Sequence, residues 1–322
     1  MKFYLGTHQP AWLARDLGVP LLVSHRRLAD RRTLPRATTG WALDSGGFTE
    51  LSLHGHWRTD ATTYAAAVRR YATEIGHLDW AAPQDWMTEP HVLARTGLSL
   101  RTHQHRTVTN YLRLRDLAPD LPIIPVLQGQ STADYHRCAD LYERHGIDLA
   151  TLPLVGVGSV CRRQHTTDVE HIMRSLATRA LRLHGFGVKL TGLTRYADTI
   201  TSSDSASWSL TGRYTTGCTP SHRSESNCLR FALTWHNRVL RTLTPHTDPR
   251  EPDSDPTRGL HEHATTRPRT STPARPADAR PADARPGDDR PATGPHPPNG
   301  EPRTGRTRRP GRRPEHPATR HR

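Results

Sequence analysis

The chain has 322 residues, 34% of them hydrophobic and 6% aromatic, and a formal net charge of +14. That length holds one large domain or two small ones. No apolar run approaches the roughly 20 residues that span a bilayer and no signal-peptide core stands at the N-terminus, so the composition excludes a helical membrane protein and predicts a cytoplasmic one with a polyanionic partner.

Residues 1–204 alternate short apolar runs, bounded by turn residues, with longer segments of helical periodicity. Runs at 3–5, 21–24, 41–44, 78–82, 123–128, 154–158, 185–189 and 199–204 predict eight strands. Helices are predicted over 61–75, 132–145 and 167–183, with a long helical insertion over 90–117. Alternating strand and helix implies a parallel sheet, and eight strands make a (β/α)8 TIM barrel the expected α/β fold rather than an open doubly wound sheet. A helix over 229–243 follows, with an apolar stripe of Leu229, Phe231, Ala232, Leu233, Trp235, Val239 and Leu240 to dock on the barrel.

From residue 244 to 322, Leu260 is the one member of the Ile/Leu/Val/Met/Phe/Trp/Tyr/Cys set. A Pro/Arg-rich stretch of this kind cannot bury enough surface to offset its chain entropy, so 1–243 is read as the folded domain and 244–322 as a disordered tail. The tail holds a nearly neutral five-residue repeat beginning at Ala274, and its end, 303–322, is more basic. Lysine occurs only at Lys2 and Lys189, so arginine carries almost all of the positive charge.

Barrel enzymes place their chemistry at the carboxyl ends of the strands. There this chain has Asp44-Ser45-Gly46-Gly47-Phe48, Asp85 between Trp80 and Trp86, Gln128-Gly129, Gly158-Ser159, Lys189 and Asp204. Adjacent glycines let backbone amides approach a flat or anionic ligand. Taken singly, each piece has an ordinary structural reading. Asp44 or Asp85 could cap a helix or form a turn, Gln128 could satisfy a loop, and the two tryptophans could wall the barrel.

In this order and spacing the segments resemble the tRNA-guanine transglycosylase superfamily, and more closely its deazapurine DNA-modification (DpdA-like) branch. The resemblance covers roughly residues 1–240 and is strongest at 44–48, 128–129 and 156–160. It implies an enzyme that replaces guanine in nucleic acid with a 7-deazapurine base, and it favours DNA over tRNA. The predicted ordered chain ends near Leu243, which leaves no room for an added RNA-binding domain. By the resemblance Asp204 would be the nucleophile at C1′ and Asp44 the general acid and base. Asp85 and Gln128 would read the amino and carbonyl edge of the ring, with Ser45, Gly46, Gly47, Gly158 and Ser159 around it. Lys189 is assigned to a phosphate by its position alone, because the family pattern has a small residue there. Expelling a purine from an oxocarbenium-like centre does call for a carboxylate below the sugar and a proton donor at the base. A homodimer is a further expectation. Two other readings stay open: an N-glycosidase using the same two acids, and a non-catalytic basic nucleic-acid-binding protein.

The superfamily also carries a structural zinc held by close cysteines and a histidine. Cys218, His222 and Cys228 are the expected ligands here, although the close cysteine cluster is not reproduced. Glu225 and Cys161 are both open as the fourth. His236 lies about 12 Å along the helix from Cys228, too far to converge easily. Cys138 falls on a predicted helix and is read as core.

Overall fold

The chain is described here from a computed structural model covering residues 1–243; the tail predicted over 244–322 lies outside the described residues. Eight strands pair in parallel throughout: β1 Lys2–Thr7, β2 Leu21–Ser24, β3 Trp41–Asp44, β4 Leu78–Ala81, β5 Val126–Leu127, β6 Val155–Val157, β7 Leu183–Gly185 and β8 Ser202–Ser205. Their order is β4-β3-β2-β1-β8-β7-β6-β5, so the first and last strands are neighbours at the middle of a curled sheet. β4 meets the segment just before β5 through an isolated bridge, Ala81 with Ile123. There the Ala81 N–H donates to Pro122 O at 2.9 Å and the Ile124 N–H to Ala81 O at 3.1 Å. This is an α/β fold with a curled eight-stranded parallel sheet, compatible with a TIM barrel.

Helices α1 Gly47–His54, α2 Ala61–Glu74, α3 Pro90–Thr96, α4 Leu100–Leu117, α5 Thr132–Arg144, α6 Thr167–Ala177, α7 Leu190–Tyr196, α8 Ser207–Gly212 and α9 Leu229–Arg241 fill the connections. Several start where a short polar side chain satisfies the free amides of a first turn. Asp60 accepts from the Thr62 and Thr63 amides, and Ser131 and Asp134 form a reciprocal capping box on α5.

Side chains along each strand alternate between two cores, as the two-residue period requires. Phe3, Leu5, Leu21, Val23, Trp41 and Leu43 join the large cluster with the helices, whereas Tyr4, Ala42, Trp80, Ala82, Ile124 and Leu154 form a separate cluster, with Leu22 and Phe186 packed against it. On α9, Ala232 and Val239 are buried and Phe231 and Trp235 pack on the large cluster, but Leu240 is 37% exposed. No described helix is long and apolar enough to cross a membrane.

Five predicted boundaries need correction. Strand β7 is not 185–189: Leu183 and His184 make the ladder contacts, Gly187 at φ 68° turns the chain away, and Lys189 precedes α7 as its N-cap. Strand β8 starts at Ser202 because Ala197–Thr199 form a 3-10 turn. The run at 123–128 keeps only Val126–Leu127 as a strand, since Pro122 and Pro125 have no N–H for a ladder. The insertion over 90–117 is two helices divided at Gly97, with Ser99 capping the second. Helix 167–183 likewise stops at Ala177, and Ala180 takes a left-handed φ of 58°.

The interior leaves no room at Gly156 of β6, since a Cβ there would lie 2.5 Å from Cε2 of Phe186. Gly156→Ala is expected to displace that ring and cost about 1–3 kcal/mol, an overpacking penalty measurable as a lowered urea midpoint.

Candidate active site

The strand ends surround a cavity of about 420 Å³ whose lining includes Asp44, Gly47, Asp85, Gln128, Gly158, Ser159 and Asp204. Seven residues picked from sequence thus meet in one space. Phe48 and Phe186 supply apolar surface, and Glu89, Cys161 and Arg162 complete much of the rim. Phe48 is 44% exposed, and the Arg162 guanidinium sits 5.0 Å from its ring centre.

Asp44 ends β3, where the Gly46 N–H donates to its Oδ2 at 3.1 Å. Burial above all lifts its carboxyl to about 6. The charge of Asp204 adds to this, while the Ser24 hydroxyl, the Gly46 amide and Arg26 oppose it. Asp85 follows β4 in an extended loop and does not cap α3, whose N-cap is Glu89. Its Oδ2 accepts from Gln128 Nε2 at 2.5 Å. Burial again dominates and lifts this carboxyl to about 7, with Asp44 and Glu89 adding and the Gln128 amide opposing.

Gln128 is fully buried just after β5, and both ends of its amide are engaged. Ser159 Oγ lies 2.6 Å from its Oε1, so the Nε2 end is turned toward Asp85. Gly158 permits this, since a Cβ there would lie 2.2 Å from Gln128 Nε2. The loop is pinned from outside by Tyr135, whose hydroxyl donates to Gly158 O at 2.7 Å. Ser159 holds a left-handed φ of 56°, and its Oγ also accepts the Thr88 N–H at 2.8 Å.

Asp204 lies on β8 at 6% exposure. Gly187 N–H donates to its Oδ1 at 2.9 Å, and Nε2 of the fully buried His184 lies 3.2 Å from the same oxygen. His184 was missed from sequence because β7 was placed two residues late. The available signal was its two-residue spacing from Phe186, which puts both side chains on one face.

Three predicted site residues lie elsewhere. Ser45 is buried beside a separate cavity of about 230 Å³ with Arg26, Glu50 and Arg58. Gly46 contributes its amide to Asp44 but does not line the larger cavity. Lys189 is also absent from that lining, and its backbone N–H is spent on Gln164 Oε1 at 2.6 Å. Trp80 and Trp86 are wall residues, packed in the strand-lined and α3-side clusters.

A protein-family model, DpdA (DeoxyPurine in DNA protein A), matches residues 1–263. The chain belongs to the DpdA family. That assignment agrees with the DpdA-like branch of the transglycosylase superfamily resembled by its motifs. No individual curated protein matches this DpdA-family chain significantly.

Beyond β8, Cys218, His222, Glu225 and Cys228 bring their donor atoms within 4.8 Å of one another. Cys218 Sγ is 3.6 Å from Cys228 Sγ and 3.3 Å from His222 Nδ1. A tetrahedral zinc with bonds of about 2.3 Å to sulfur sets its thiolates near ~3.8 Å apart, so the spacing suits the ion. Both carboxylate oxygens of Glu225 are buried without a hydrogen-bond partner, as expected of a ligand aimed at a cation. Of the two open candidates for fourth ligand, Glu225 is in the group, whereas Cys161 lines the cavity. His236 is outside it, with Nε2 near Phe3 O at 3.2 Å, and Cys138 is core.

Asp44 and Asp85 bind their protons more tightly when folded, so the native state carries more protons between about pH 4 and pH 7 and stability falls as pH rises through that window. Asp85→Asn is expected to flatten the fall and to gain roughly 1–3 kcal/mol over wild type at pH 8, read from urea unfolding at pH 5 and pH 8. An unchanged pH slope counts against the buried-acid assignment. For the metal group, one zinc per chain is expected by elemental analysis. Glu225→Ala should release it to a chromogenic chelator at least tenfold faster, while Cys161→Ser should leave release unchanged.

Proposed function

We propose that this chain is a base-exchange glycosyltransferase that removes guanine from DNA and installs a 7-deazapurine through a glycosyl-enzyme on Asp204. The observation that carries the reading is the meeting of Asp44 and Asp204 around one cavity whose far edge is the Asp85 and Gln128 pair. We take the curled sheet to work as a (β/α)8 barrel, with this cavity at the carboxyl ends of its strands.

A carboxylate oxygen of Asp204 attacks C1′ as the C1′–N9 bond breaks. Asp44, in its acid form, protonates the departing purine. An incoming base enters the same slot, gives its proton to Asp44, and attacks C1′ while the ester bond to Asp204 breaks. A carboxyl lifted to about 6 suits a group that must both give and take a proton near neutral pH. Asp85 and Gln128 meet the amino and carbonyl edge of the ring, and a purine lacking those groups would leave buried polar atoms unpaired. Phe48 and Phe186 offer apolar surface to the ring faces. A duplex target has to deliver its base extruded from the stack.

Cys218, His222, Glu225 and Cys228 would hold zinc with four protein ligands and no open position. Such an ion supplies a fold-stabilising cross-link. No proton or sugar transfer passes through it.

With guanine-containing DNA, wild type is expected to form a protein–DNA adduct that survives denaturation, and labelled guanine or deazapurine should enter the polymer. Asp204→Ala should abolish the adduct, and Asp44→Asn should slow its formation by roughly 10²–10⁴-fold, the usual worth of a general acid. Release of guanine with no incorporation would replace exchange by hydrolysis. Absence of both adduct and release would end the enzymatic reading.

A further inference from the structure

The base-exchange chemistry accounts for Asp44, Asp85, Gln128 and Asp204 but gives no role to His184. This histidine is fully buried on β7, and Phe186 follows just past the end of that strand. Its Nε2 lies 3.2 Å from Asp204 Oδ1 and its Nδ1 lies 2.9 Å from Ser202 Oγ. The ring is boxed in by Trp80, whose centroid is 4.5 Å away, and by the edge of Phe186 at 4.7 Å. Neither ring nitrogen faces solvent, and neither is free to serve a ligand in the cavity.

The partners assign the proton positions. A carboxylate only accepts, so the hydrogen between the two groups sits on Nε2, and Nδ1 is left to the Ser202 hydroxyl. The Gly187 N–H reaches the same Oδ1 at 2.9 Å. Two donors therefore converge on one oxygen of Asp204. Its Oδ2 makes no hydrogen bond to a described residue, and the side chain borders the cavity. Rotation about Cβ–Cγ would break both contacts, so the carboxylate is held with one face committed.

We propose that His184 is the positioning residue of the nucleophile, fixing Oδ1 so that Oδ2 is the atom that bonds to C1′. This rests on the base-exchange reading and deepens it. In the first half-reaction a lone pair of Oδ2 forms the C1′–Oδ2 bond. The C1′–N9 pair leaves with guanine, which takes its proton from Asp44. In the second half N9 of the incoming base forms the bond to C1′ and its proton returns to Asp44. The C1′–Oδ2 pair reverts to the carboxylate. The His184 proton stays on Nε2 throughout, and its donation stabilises the charge that reappears on Asp204 as the ester breaks.

The test is single-turnover formation and breakdown of the adduct by the full chain on a guanine-containing oligonucleotide. Wild type is compared with His184→Phe, which keeps the ring volume without a donor, and His184→Gln, which restores an N–H donor. Oligonucleotide affinity and thermal midpoint are measured in parallel. Loss of a hydrogen bond to a charged group predicts that His184→Phe slows both steps roughly 10–100-fold with affinity unchanged, and that His184→Gln recovers to within about fivefold of wild type. Adduct formation by His184→Phe at the wild-type rate would overturn the proposal. So would an equal loss in both variants, which would mark the histidine as packing only. If His184→Phe does not fold, His184→Met replaces it as the donor-free variant, and the same two outcomes decide. A wild type that forms no Asp204-dependent adduct defeats the base-exchange reading itself, a result distinct from either variant outcome.

Discussion

Three carboxylates around one small cavity set the terms for everything else in this molecule. Removing Asp44, Asp85 and Asp204 from water is unfavourable, and their mutual repulsion in a low-dielectric space adds to the cost. Each is met by a different kind of donor. Asp44 receives a backbone amide from the glycine turn beside it, Asp85 receives a side-chain amide, and Asp204 receives a histidine and a second backbone amide. The three acids consequently sit in three different hydrogen-bonding environments.

The supporting architecture is economical because the strand period does the sorting. Along β7 and β8, residues 184, 202 and 204 share the side away from the helices and satisfy each other: His184 bridges Ser202 and Asp204. The segment after β8 is then tied back onto the start of the chain. Ser209 of α8 donates to Ser226 O at 2.9 Å, and Asn227, beside the metal group, accepts from Gln9 at 3.2 Å just past β1. A cation held there would stiffen the loop that braces α8, the helix following β8.

Much of this was legible in the amino-acid sequence wherever an apolar run ended abruptly in a polar residue. Asp44 and Gln128 follow that pattern directly, whereas Asp85, Gly158, Ser159 and Asp204 were placed by motif order, and all six reach the cavity. Reading failed where composition and pairing disagree. The apolar Gly185-Phe186-Gly187-Val188 run looks more like a strand than Leu183-His184-Gly185, yet the ladder uses the latter because Gly187 turns out of the sheet. That two-residue slip hid His184 and carried Lys189 toward a site it does not line. Helix α1 was hidden for a related reason, since two glycines at its start read as a turn. Glu225 could not be chosen over Cys161 without coordinates, because loop length alone does not say which side chain folds back.

The seam between β4 and β5 has a consequence for how this site can vary. Among the described residues one bridge, to Ile123 just before β5, closes that seam, and side chains fasten the loops above it: Gln128 to Asp85, Thr88 Oγ1 to Gly129 O at 3.0 Å, and Gln130 Nε2 to Thr88 O at 2.8 Å. The residues that would discriminate one purine from another are also rivets of the sheet. On the base-exchange proposal, a substitution that retunes the edge they present loosens a joint as well, so a change of base preference would call for paired replacements across the seam rather than single ones.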